Sequence, residues 1–225
     1  MPSQDQIVRF NAGGVSLDAD VSLPGDAAGM VLFVHGSGSS RHSTRNQFVA
    51  QHLRAQRLGT VLMDLLTADE ERADQFTGHL RFDIPFLARR VSAVVDEMRR
   101  HSALRLGLFG ASTGAAAALV VAAHRSKAVS AVVSRGGRPD LAGESLSDVV
   151  APTLLIVGGE DREVLELNRK AKARMTANVE LEIVPGASHL FHEPGALEAV
   201  AHLAADWFSI HLDTTGSAGG AHETA

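Results

Sequence analysis

The sequence predicts an α/β fold: a mostly parallel, eight-stranded sheet with helices on both faces, formed as one domain by residues 1–212. Three observations carry this. Short apolar runs alternate with longer segments of helical periodicity, the pattern of strand–helix–strand crossovers. Most of the runs are apolar without alternation, as strands buried on both faces are. The first two runs instead form a pair joined by the turn Asn11-Ala12-Gly13-Gly14, so an antiparallel hairpin leads the sheet.

In chain order, the hairpin takes residues 7–10 and 15–23. Residues 30–34 form a short, continuously apolar strand, and so do 60–63, 104–109, 129–133, 153–157 and 179–184. Helices are expected over 44–56, 84–101, 113–124, 164–175 and 196–211. In the second of these, Phe86, Leu87, Val91, Val94, Val95 and Met98 recur at three and four residues and give one apolar face. Pro194-Gly195 marks the entry to the last helix. Residues 68–78 are acidic and polar and read as a surface loop. Residues 213–225, DTTGSAGGAHETA, have almost no bulky apolar side chain and read as a disordered tail.

Composition narrows the function classes. The 225 residues are 45% hydrophobic and 21% charged, as in an ordinary soluble domain. A net charge of −5 with no long basic run argues against nucleic acid or an anionic membrane as partner, and leaves a small molecule. The absence of cysteine excludes a disulfide framework, a cysteine nucleophile and a thiolate metal site. No apolar segment reaches the roughly 20 residues that span a bilayer. The opening residues MPSQDQIVRF lack a secretory pattern, so a cytoplasmic location is expected.

The most informative stretch is LGLFGASTGAAAA at 106–118. A strand ends in Gly110-Ala111-Ser112-Thr113-Gly114 and runs straight into an alanine-rich helix. Such a turn exposes the hydroxyl of Ser112 at the C-terminal end of the strand, and it needs glycine where a side chain would strike backbone. A serine hydroxyl is a weak nucleophile at neutral pH and requires a base, which requires an orienting acid. Both are expected at later strand ends, in the order acid then base. The strand at 153–157 leads into Gly158-Gly159-Glu160-Asp161, with Asp161 the better acid candidate and Glu160 the fallback. The strand at 179–184 leads into Pro185-Gly186-Ala187-Ser188-His189, with His189 the base candidate and His192 a competitor. An Asp after Gly-Gly is often only a turn or helix-capping residue, and a lone His among 11 carries little weight. The joint placement of three residue types at three expected strand ends, in the expected order, is what singles out Ser112, Asp161 and His189.

The strand at 30–34 leads into His35-Gly36-Ser37-Gly38-Ser39-Ser40, where small residues let backbone N–H groups face a developing oxyanion. Ser37 is expected to supply one N–H and Thr113, directly after the nucleophile, the other. A phosphate-cradling loop is disfavoured, because the run fits neither glycine-rich nucleotide pattern.

Together HGSGSSRHS, GASTGAAAA, GGEDREV and PGASHLF resemble the α/β-hydrolases, and within them the dienelactone hydrolase-like group. The resemblance covers residues from about 5 to 212. It implies an α/β-hydrolase fold, the triad Ser112, Asp161 and His189, an oxyanion hole from the Ser37 and Thr113 amides, and no cofactor or metal. Members of this branch are sometimes joined to a phosphoribosyltransferase domain, which nothing in this chain resembles. The namesake enzymes carry cysteine in the elbow. Serine here favours general ester hydrolysis over dienelactone itself as the reaction.

Many hydrolases of this fold insert a helical lid between the strands at 129–133 and 153–157. The connection here, 134–152, has the length of one crossover, so no lid domain and a rather open site are expected. His35 and Arg135 are assigned to substrate binding. Arg135, at a strand end, suits a substrate carboxylate, and a structural pairing with Asp140 or Asp161 is slightly favoured over that. Arg41, His42 and Arg45 are further pocket candidates, and Asp64 a loop buttress. The expected function is a serine hydrolase of small to medium carboxylic esters or lactones. The alternatives are acyl transfer or perhydrolysis on the same triad, or a non-catalytic binding protein on a hydrolase scaffold.

Overall fold

The computed structural model of the chain describes residues 4–213. Its strands are β1 (Gln4–Asn11), β2 (Ser16–Leu23), β3 (Gly29–Val34), β4 (Leu58–Met63), β5 (Arg105–Ala111), β6 (Val129–Arg135), β7 (Thr153–Gly158) and β8 (Val179–Val184). They form a single eight-stranded sheet in the order β1-β2-β4-β3-β5-β6-β7-β8. The pairs β1–β2 and β2–β4 are antiparallel and the remaining neighbours are parallel. The hairpin is therefore one edge, β8 is the other, and β3 and β5 lie side by side at the centre.

The helices are α1 (Thr44–Ala55), α2 (Ala68–Thr77), α3 (His79–Phe82), α4 (Ile84–His101), α5 (Thr113–His124), α6 (Arg162–Arg174) and α7 (Ala196–Leu212). Side chains of each strand alternate between the two faces. Leu32, Leu106, Leu108 and Val132 meet Leu87, Val91, Val94 and Val95 of α4 and the alanines of α5 on one side. Val31, Phe33, Phe109, Ala131 and Val133 meet Val49 and Leu53 of α1 and Val200, Ala204 and Phe208 of α7 on the other. β3, β4 and β7 are buried along their whole length, as continuous apolarity requires.

Two expectations need correction. β8 is not a doubly buried strand: as the sheet edge it exposes Glu180 and Glu182, while Leu181 packs inward. Residues 68–78 are not a loop but helix α2, opened by a capping box in which Thr67 Oγ1 accepts from the Glu70 N–H and Glu70 accepts from the Thr67 N–H. Gly78, with φ 66°, closes it in the left-handed conformation. The β6–β7 connection holds only a 3₁₀ segment over Pro139–Asp148, broken at Gly143, and no lid is inserted there. Among the described residues no helix is long and apolar enough to cross a membrane. The tail expected at 213–225 lies, from residue 214 onward, outside the described residues.

Candidate active site

Ser112 sits between β5 and α5 with φ 50° and ψ −122°, a strained conformation for a residue with a side chain. Its surroundings hold it there. Its N–H donates to the Arg135 carbonyl of β6 at 3.2 Å, and its own carbonyl accepts from the N–H groups of Arg138 and Ala115, both at 3.1 Å. The flanking glycines are forced by contact. A Cβ on Gly110 would lie 2.4 Å from Ala115 Cα, and one on Gly114 would lie 2.2 Å from the Val34 carbonyl oxygen. The helix can thus start directly against the end of β3, which brings the loop at 35–40 to the serine.

Asp161 occupies the N-cap position of α6, yet its side chain makes no capping bond. It accepts instead from His189 Nδ1, with Oδ2 at 2.6 Å. The loops that carry the two residues are locked backbone to backbone. The Glu160 N–H donates to the Ala187 carbonyl at 3.0 Å and the Gly159 N–H to the Val184 carbonyl at 2.9 Å. A Cβ on Gly158 would lie 2.3 Å from the Ala187 carbonyl oxygen, so this docking requires glycine, a constraint sequence reading did not anticipate. Glu160 itself points outward, exposed, and His192 is likewise exposed. Just after His189, Phe191 is buried with φ 56°, and the Ser188 N–H donates to Glu193 Oε2 at 3.0 Å. These contacts fix the loop on both sides of the histidine.

In the loop at 35–40, the expected oxyanion-hole loop, the Ser37 N–H donates to Thr113 Oγ1 at 2.9 Å. The expected donor is therefore engaged by the side chain of the other expected donor residue, a link that residue spacing does not reveal. The Thr113 N–H begins α5 and, as one of the first amides of a helix, has no intrahelical acceptor. A Cβ on Gly36 would lie 3.0 Å from Ser112 Cβ, so loop and nucleophile candidate are in contact.

The two residues assigned to substrate binding behave differently. His35 is buried, with Nδ1 2.9 Å from the Gly36 carbonyl oxygen and Nε2 accepting from the Leu65 N–H at 3.2 Å. Both ring nitrogens are spent on backbone, and burial pulls its pKa below 6.5. This histidine braces the loop at 35–40 and has no ring nitrogen left for a substrate. Arg135 is buried and pairs with neither Asp140, which Arg138 binds at 2.8 Å, nor Asp161. Arg41 is a strut, hydrogen-bonded to Asp64 and 3.3 Å from Asp20, which gives Asp64 the buttressing place expected of it.

The α/β-hydrolase domain matches this chain over residues 27–203. Across 221 residues, 97% of its length, the chain is 52% identical to a Mycobacterium tuberculosis protein provisionally named a phosphoribosyl transferase. The match takes in 49% of that protein, so the chain spans about half the length of the curated relatives it matches. A dienelactone hydrolase from Anabaena variabilis is 51% identical, with a TM-score of 0.91 over 94% of this chain and 100% of that one. Est1E from Butyrivibrio proteoclasticus shares the fold at 15% identity, with a TM-score of 0.77 over 91% of this chain and 98% of its own. With a domain match over most of its length and an identity of 51% to a solved relative, the chain belongs to the α/β-hydrolase family, in its dienelactone hydrolase-like branch.

Proposed function

We propose that the chain is a serine hydrolase that cleaves carboxylic esters or lactones through an acyl-enzyme. The observation that carries the reading is the 2.6 Å bond from His189 Nδ1 to an Asp161 carboxylate that forgoes capping its own helix. A bond at Nδ1 fixes the tautomer that leaves Nε2 as the acceptor, the form a general base needs.

In this reading His189 takes the Ser112 Oγ proton as Oγ attacks the carbonyl carbon. The oxyanion forms beside the Thr113 and Ser37 N–H groups, the latter exchanging its Thr113 Oγ1 acceptor for the new charge. His189 then protonates the leaving alkoxide. Water, deprotonated by the same imidazole, attacks the acyl carbon and releases the acid and free Ser112. Asp161 stays ionised throughout and stabilises the imidazolium. The dienelactone hydrolase relative supports a hydrolytic reading, and the uninterrupted β6–β7 connection supports a site open to small and medium substrates.

Hydrolysis of a panel of p-nitrophenyl esters and lactones tests the proposal. The wild-type chain is expected to turn over part of the panel, and Ser112→Ala to lower kcat by roughly 10⁴-fold or more. Retention of most activity in Ser112→Ala would assign the chemistry to another residue.

A further inference from the structure

Arg135 ends β6, and its side chain follows those of Ala131 and Val133 onto the sheet face covered by α1 and α7. Only 6% of it is exposed. The guanidinium carbon lies 6.0 Å from the centroid of the Phe191 ring, and neither Nε nor Nη1 has a hydrogen-bond partner among the described residues. The carboxylates expected to neutralise it are used elsewhere, Asp161 by His189 and Asp140 by Arg138. The charge that acts on it has its own sign. Arg45, in the first turn of α1, also buries an unpartnered Nε. Burial first, and Arg45 second, pull the Arg135 pKa down to about 10.

A guanidinium buried without a counter-charge, with a second, half-buried one acting on it, is costly to hold. An oxyanion between them relieves both, and the planar donors of arginine fit the oxygens of a carboxylate or a phosphate. The backbone that carries Arg135 is immediately beside the proposed triad. The Arg135 carbonyl holds the Ser112 N–H at 3.2 Å, and a Cβ on Gly136 would lie 3.6 Å from His189 Cε1.

We infer that Arg135 and Arg45 form an oxyanion-binding site between the start of α1 and the histidine loop, and that it receives a carboxylate or phosphate carried by the molecule being cleaved. The binding site rests on the burial of Arg135 and on the unpartnered nitrogens of both guanidinium groups, and its role for the substrate rests on the hydrolase reading above.

Calorimetric titration of the full chain with acetate and with inorganic phosphate tests the site without turnover, and the two probes separate the two chemistries. Binding of at least one probe, weakened tenfold or more in both Arg135→Gln and Arg45→Gln, is the expected result. Arg45 is only half-buried in the first turn of a helix, so its variant keeps the test valid if Arg135→Gln fails to fold. Failure of both probes to bind, or binding unchanged in Arg45→Gln, overturns the site. For the substrate role, kcat/KM is compared for neutral p-nitrophenyl butyrate and for the anionic mono-p-nitrophenyl ester of succinate. The ratio of anionic to neutral ester should fall at least tenfold in Arg45→Gln. An unchanged ratio overturns the substrate role and leaves the binding site standing. If neither ester is turned over, the hydrolase reading fails and the substrate role falls with it, while the titration still decides the site.

Discussion

Asp161 stands where a helix needs a cap, and the helix goes without one so that the carboxylate can reach His189. The side chain therefore contributes more to the site than to the stability of α6. Asp161→Asn should leave the melting temperature within a few degrees of wild type and cut kcat by about 10⁴-fold, because the amide turns the imidazole to the wrong tautomer. Thermal denaturation and ester kinetics on one preparation check both halves. A large loss of stability with retained turnover would show a cap and not a catalytic partner. The candidate triad was legible in the sequence because each member follows a strand end, and strand ends can be read from apolar runs. The bond between the Ser37 N–H and Thr113 Oγ1 was not legible, since it joins residues on two loops that meet only when β3 and β5 are neighbours. His35 misled for a related reason. Its position at the start of the expected oxyanion-hole loop was readable, but the Leu65 amide that consumes its second nitrogen comes from the end of a different strand.

At the scale of elements, the strands and the long apolar-faced helices were readable, and α2 was not. Its residues, ADEERADQFT, have no apolar stripe for periodicity to find. Polar contacts hold the helix instead. Glu70, after its capping role, takes two bonds from buried Arg90 of α4 at 2.7 and 2.6 Å. Asp74, with a fully buried side chain, accepts from the Leu80 N–H at 2.6 Å and from Arg81 Nε at 2.6 Å. The one local signal was Thr67-x-x-Glu70, a capping box pattern that acidity alone obscured. Asp74→Asn should destabilise the protein by about 2–3 kcal/mol, because it strands Arg81 and weakens the turn into α3. Urea denaturation measures this, and an unchanged midpoint would show that α2 and α3 are held by something other than Asp74.

At the scale of the molecule, central β3 and β5 present the loop at 35–40 and the Ser112 turn side by side, and β7 and β8, beyond β6, present the candidate acid Asp161 and candidate base His189 at neighbouring strand ends. Buried polar groups brace this end of the sheet and make it sensitive to acid. Burial keeps the His35 pKa below 6.5, so as pH falls the unfolded chain takes up that proton before the folded one, and stability declines below about pH 6.5. Glu70, through its Arg90 bonds, is held below its ordinary value of 4.5. Asp74 is also held low, because the Arg81 bonds and two backbone N–H groups outweigh the opposing effect of burial. Both carboxylates stabilise the fold above their ordinary values and lose that contribution at lower pH, so all three groups act in the same direction. Denaturation midpoints should fall between pH 8 and pH 5.5, and further below pH 4.5; midpoints that rise as pH falls would contradict this. The central claim is that Ser112 is the nucleophile of this arrangement, and the most direct measurement is covalent labelling by a fluorophosphonate, with the modified peptide identified by mass spectrometry. The account predicts one adduct, on Ser112, formed by the wild-type chain and absent from Ser112→Ala and His189→Ala. An unlabelled Ser112, under conditions where a control serine hydrolase reacts fully, would contradict it.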